Sequence, residues 1–196
     1  MSSPTRWAGV PLADRRAERR SQLVAAAFEI FGTQGESGLS VRSVCRACEF
    51  NSRYFYESFA DTDELLGAVY DEAAEEMSAV LEAAIAAAGD SAAERTRAGI
   101  RTVLGFGSAD PRRGRVLFTE ARTNPVLIVR RAATQDLLLR TTLAGGASHD
   151  HPTSSRVRAA MFTGAMVELA LQWLSGNLGD DLDAVVDQAV ASLARR

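Results

Sequence analysis

Apolar residues recur at intervals of three and four along almost the whole chain, which is the spacing of one helical face. Leu23, Ala27, Ile30 and Phe31 form the first such stripe, and the Gly-rich run from Gly32 to Gly38 predicts where that helix stops. Val41, Val44, Cys45 and Cys48 form a second stripe of two turns behind Ser40, a residue type that caps helix N-termini. A third short helix follows almost at once, with Asn51 as its cap and Phe55 and Phe59 on its inner side. That register turns Ser52, Arg53, Tyr54, Tyr56 and Ser58 outward. Asp61 and Glu64 have the spacing of a capping box, so a fourth helix starts directly after Phe59. Its stripe of Leu66, Val69, Ala73, Met77, Val80, Ala84 and Ala88 keeps the helical period as far as Gly89. This predicts about 26 residues of helix, or about 40 Å.

Beyond Gly89 no strand-like alternation interrupts the pattern. Ser91 to Leu104 reads as one helix, while Asp110-Pro111 and Asn124-Pro125 each set a capping residue before a first-turn proline and mark two further starts. Gly145 to Ser154 reads as a loop. The helix from Ser155 to Ser175 is apolar on two faces, Val157, Met161, Gly164 and Leu171 with Glu168 among them on one, Phe162, Met166, Leu169, Ala170 and Trp173 on the other. From Asp180 to Arg196, Leu182, Val186, Ala189, Val190 and Leu193 make a last stripe. Helices apolar on two sides need cover on two sides. The simplest closed solution is a two-fold four-helix interface between two copies, built from Val157, Met161, Gly164 and Leu171 with the stripe of the last helix; a thicker core within one chain is the alternative. The expected fold is therefore all-α, with an N-terminal arm and three-helix domain over residues 1–62 and a roughly six-helix domain over 63–196.

Composition narrows the function classes. The chain has 196 residues, 46% hydrophobic and 24% charged, an ordinary globular balance with ample length for a core. No apolar run approaches the roughly 18 residues that span a bilayer, and Met1 to Leu12 lacks a signal-peptide core, so a cytoplasmic protein without membrane partners is expected. Every basic residue is arginine. The net charge of -3 is unevenly spread: residues 1–60 hold eight Arg against six acids, and residues 61–196 hold fourteen against nineteen. The mild basic bias of the N-terminal part has the sign that nucleic-acid binding needs. Arg15, Arg16, Arg19 and Arg20 crowd the start of the first helix, where the helix dipole favours acids. Contact with DNA phosphates or the minor groove would explain them; a solvated basic face is the alternative.

Other chemistry finds little support. Cys45 and Cys48 are two thiols three residues apart on one helix and read as core filling rather than as a metal site or a sensor. His149 and His151 sit in a Gly/Ser segment and read as solvated. Neither a phosphate-cradling loop nor a catalytic-triad or His-Glu helix motif occurs, so no cofactor and no metal are expected. An enzyme built in a helical bundle would have only the isolated carboxylates Glu120 and Glu168 and the two histidines to work with.

Two short helices joined by a tight turn, the second showing Arg, Tyr and hydroxyl groups, describe a helix-turn-helix that can enter a major groove, although a decorated helical hairpin has the same pattern. The sequence discriminates further. Residues 16–31, then Gly35, Ser40 to Val44 and Asn51 to Phe59 with its Phe-Tyr-x-x-Phe core, resemble without gaps the DNA-binding domain of the tetracycline-repressor (TetR) family of bacterial transcription regulators. The resemblance implies a homodimeric regulator, most often a repressor, released from a palindromic double-stranded operator by a small-molecule effector. It implies that Ser52, Arg53 and Tyr54 face bases or backbone, that Tyr56 meets a phosphate, and that Ser58 is a further contact. Arg19, Arg20, Ser40, Arg42 and Thr62 complete the predicted DNA contacts. Two positions depart from the pattern: Glu49 stands where many relatives have glycine in the turn, which implies a left-handed non-glycine residue, and Thr62 stands where the family often has lysine. A helical adaptor that kept the fold without binding DNA would draw on these departures. The resemblance also places the dimer interface on the last two helices and an effector pocket among the middle ones. Met77, Phe106, Phe118, Met166 and Trp173 are candidates for its apolar lining, with Glu120, Arg122 or Glu168 orienting the ligand.

Overall fold

The computed structural model describes residues 6–7, 10–145 and 152–194, and its architecture is all-α. A two-residue antiparallel ladder, Arg6–Trp7 with Val10–Pro11, precedes the first helix. The chain divides into two compact units, residues 1–70 and 71–196. His149 and His151 lie outside the described residues.

The first unit holds α1 (Leu12–Gln34), α2 (Val41–Ala47) and α3 (Ser52–Tyr56). Its core is the predicted stripe: Leu23, Ala27, Phe31, Val44, Phe55 and Phe59 are all buried. Helix α1 ends at Gly35, whose φ of 71° suits a residue without a Cβ. The fourth helix, α4 (Thr62–Ala87), runs 26 residues. Asp61 caps it by accepting from the Glu64 amide at 2.8 Å, and the Glu64 carboxylate reaches back to the Ala60 amide at 2.7 Å. Leu65, Leu66, Val69 and Tyr70 at the start of α4 are buried in the first unit.

In the second unit, α5 (Ala92–Ala109) runs five residues past Leu104, where the periodicity suggests its end. Gly105 and Gly107 do not end it, because glycine here serves packing rather than chain reversal. A Cβ on Gly107 would lie 3.4 Å from Leu174, and one on Gly114 would lie 3.0 Å from Leu174 and 3.1 Å from the Gly107 carbonyl. The two glycines form the seat of that leucine. The prolines mark true starts. Asp110 accepts from the Arg112 amide at 3.0 Å to open α6 (Pro111–Gly114), and buried Asn124 accepts from the Val126 and Leu127 amides to open α7 (Pro125–Gly145). Between them the chain passes through one π turn, Arg115–Thr119, and a 3-10 turn, Glu120–Arg122.

The closing pair are α8 (Pro152–Leu174) and α9 (Leu182–Ala194). Helix α9 packs along α5, and ion pairs of Arg97 with Asp187 and of Arg101 with Asp183 bind their polar edges. This packing corrects one expectation. Val186 has no exposed surface in the single chain, so it belongs to the unit's own core and offers nothing to a second copy. Leu182 turns the same way, its Cδ2 3.9 Å from where a Cβ on Gly105 would stand.

Candidate functional site

Helix α2 begins with a reciprocal cap: the Ser40 side chain accepts from the Ser43 amide at 3.1 Å, and the Ser43 hydroxyl accepts from the Ser40 amide at 3.0 Å. It ends in a Schellman turn, with Phe50 N donating to Cys45 O at 2.8 Å and Glu49 N to Arg46 O at 3.3 Å. That closure demands a left-handed residue, and Glu49 takes the position with φ 56°, the one non-glycine of positive φ among the described residues. The strain is about 1 kcal/mol. Asn51 then caps α3, accepting from the Tyr54 amide at 3.3 Å.

Phe55 and Phe59 anchor α3 from beneath, their ring centroids 6.0 Å apart. Above them, Ser52, Arg53 and Tyr56 are exposed, Arg53 with 84% of its side chain accessible and Tyr56 at 61%. Arg42 is exposed as well, and Thr62 is half-buried at the first turn of α4. Tyr54 is more covered than its register suggests. Its ring meets Phe50 edge-on at 5.8 Å, and the Arg19 guanidinium lies 4.8 Å from its centroid. Ser58 corrects the outward assignment, since its Oγ is buried without a hydrogen-bond partner.

The arginines of α1 have an internal explanation that helical periodicity could not supply. Arg16 donates to the main-chain carbonyl of Glu57, Arg19 approaches the Glu57 carboxylate at 3.6 Å, and Arg20 stacks on Phe59 at 4.5 Å. They offset an unfavourable dipole by holding α3. Glu57 is the residue that sequence reasoning passed over: its carboxylate also accepts from Arg53 Nε at 3.1 Å. The i,i+4 spacing of Arg53 and Glu57 was a visible signal. Cys45 is buried, and Cys48 places its Sγ 3.4 Å from the Gln22 carbonyl. Burial pushes both thiols up from their ordinary pKa, so neither is primed as a nucleophile.

In the second unit, Phe106 and Phe118 are buried, and Met77, Glu120, Met166 and Trp173 are half-buried. The polar candidates are already engaged: Glu120 lies 3.8 Å from Arg115, and Arg122 lies 3.8 Å from Glu168. Trp173 Nε1 is buried with no acceptor. An open groove of about 290 Å³ lies elsewhere, lined by Gln135 and Asp136 of α7 and by Ala160, Thr163 and Gly164 of α8. None of the six predicted pocket residues, Met77, Phe106, Phe118, Glu120, Met166 and Trp173, lines it.

A capped two-turn helix, a tight turn and a short exposed helix locked on two phenylalanines define the helix-turn-helix class of DNA-binding protein. Residues 23–69 match the family model of bacterial regulatory proteins, tetR family. That segment therefore carries a TetR-type DNA-binding domain, the mark of a DNA-binding transcription regulator. Solved structures share the fold at low identity. The fatty acid degradation regulator FadR from Bacillus halodurans is 17% identical with a TM-score of 0.70, covering 88% of this chain and 93% of that one. A transcriptional regulator from Rhodococcus sp. Rha1 is 20% identical with a TM-score of 0.70, covering 88% and 94%. A putative TetR-family regulator from Rhodococcus sp. is 17% identical with a TM-score of 0.69, covering 91% and 97%. No curated protein sequence matches the chain. Among the described residues no helix is long and apolar enough to cross a membrane.

Proposed function

We propose that the chain acts in the cytoplasm as a homodimeric repressor that reads a near-palindromic operator and leaves it when a small molecule binds the second unit. The observation that carries the DNA part is the exposed row of α3, where Ser52, Arg53 and Tyr56 face solvent above a helix fixed from below. Arg53 presents its fork to a base edge and Tyr56 its hydroxyl to a phosphate, while Arg20, Ser40, Arg42 and Thr62 flank them on the backbone. Arg19 contributes by steadying Tyr54 and Glu57. Dimerisation is supported by α8, whose Val157, Met161 and Phe162 are exposed together. The effector reading is supported by the unpartnered indole nitrogen of Trp173, a donor that an acceptor on a ligand would satisfy. A ligand preferring one tilt of α4 would change the spacing of the two reading helices, and moving most of the population off DNA takes about 5 kcal/mol of differential affinity.

The test is a gel shift on the DNA upstream of the chain's own gene. Arg53→Ala should cost about 1–3 kcal/mol and relax preference at one position of each half-site. Tyr56→Phe should weaken all sequences alike, because it deletes a backbone contact. An Arg53→Ala protein with unchanged affinity and preference would refute the reading.

A further inference from the structure

We infer that Glu57 sets the base selectivity of Arg53, acting as a positioning residue at the DNA surface at some expense of overall affinity; this rests on the reading of Arg53 given above. Glu57 closes α3 as its C-cap and is fixed from three directions. Arg16 binds its carbonyl, Arg19 Nη2 stands 3.6 Å from Oε2, and Arg53 Nε donates to Oε1 at 3.1 Å. Arg19 is itself held, its guanidinium against the Tyr54 ring. The carboxylate is therefore a stationary acceptor, about one third exposed, beside an arginine side chain that is 84% exposed.

An exposed ion pair at this spacing adds little to stability, so its consequence lies in where it leaves the guanidinium. Engaging Nε keeps the two terminal Nη groups free and restricts their direction. Those groups supply the parallel donors that a guanine edge accepts through O6 and N7. A free arginine at this exposure would also reach neighbouring phosphates, which attract it without regard to sequence. Glu57 opposes that second use twice over: it restrains the side chain, and its own negative charge is repelled by the DNA backbone. The expected result is a reader that binds every duplex less tightly and discriminates better among them.

The experiment uses the full-length chain and a duplex enriched from a random-sequence pool on the wild-type protein, with each base pair then substituted singly and poly(dI-dC) as the non-specific probe. Glu57→Ala should bind poly(dI-dC) more tightly at low salt, with the gain fading as salt is raised. It should also lose roughly three- to tenfold of the discrimination at the base pair read by Arg53, the scale of freeing one immobilised side chain. Glu57→Gln keeps an acceptor for Nε and should retain part of that discrimination while still gaining non-specific affinity. In an Arg53→Ala background, Glu57→Ala should leave base preferences unchanged. The inference is overturned if Glu57→Ala discriminates like wild type, if Glu57→Gln loses as much as Glu57→Ala, or if the loss persists without Arg53. If Arg53→Ala itself keeps every base preference, the reading-helix assignment fails and takes this inference with it.

Discussion

The two units differ in how completely each covers its own apolar residues. In the first, the large hydrophobic side chains left exposed among the described residues are Tyr54 and Tyr56, both carrying hydroxyls. In the second they include Val129 at 68%, Val157 at 51%, Met161 at 49% and Phe162 at 38%, none with a polar atom to offer water. Exposed apolar side chains one turn apart on α8, Val157 and Met161, mark an interaction surface, whereas two phenols above buried phenylalanines mark a polar contact surface. Among the described residues the first unit covers its apolar side chains, whereas the second leaves some of its own uncovered, which supports the proposed dimer.

The largest test of this contrast sets two substitutions in the second unit against each other. Val186→Arg places a charge in a site with no exposed surface and should unfold the unit, a loss above about 4 kcal/mol read by thermal or urea melting. Met161→Arg alters the exposed face of α8 and should leave melting of the isolated protomer nearly unchanged while sedimentation shifts from dimer to monomer. If Met161→Arg sediments as wild type does, the exposed face is not the dimer contact. A smaller effect is expected at the seat of Leu174. Gly114→Ala drives a methyl against Leu174 and the Gly107 carbonyl and should cost about 1–3 kcal/mol by chemical denaturation, without touching the first unit's DNA contacts. A melting curve equal to wild type would mean that Leu174 can move aside freely.

The smallest is a pH effect confined to the second unit. The hydrogen bond from Arg112, with its charge, holds the Asp110 carboxyl below the usual carboxylate range despite partial burial. A depressed folded-state value contributes stability that is fully present above the unfolded pKa of about 3.9 and is lost as pH falls through the folded value. Asp110→Asn keeps a capping oxygen but not the charge, so its stability deficit at pH 7 should shrink as the solution is acidified below about pH 4. A deficit constant from pH 7 to acid would remove the ionic part of that cap.

Much of this was legible in the residues because capping and turn chemistry is local. Ser40, Asn51, Asp61, Asp110 and Asn124 each cap the helix that their side chains announce, and Glu49 adopts the left-handed turn its position requires. Periodicity likewise placed Phe55 and Phe59 inside. What it could not assign was which of two neighbours an apolar or charged face would meet. Val186 and the arginines of α1 have the same local signature whether they face a second copy, DNA or their own chain.

Sequence alone determined the helical class, the helix-turn-helix and the starts of its helices, since each follows from residues within a turn or two of one another. Tertiary structure decided what is far apart along the chain. It gave Val186 to the core beside α5, made Gly107 and Gly114 a seat for Leu174, turned Ser58 Oγ inward and gathered Arg16, Arg19 and Arg53 on Glu57. The physical reason is that a helix's pattern reports how much of each face must be covered, whereas the identity of the cover depends on packing geometry that no short window of residues contains.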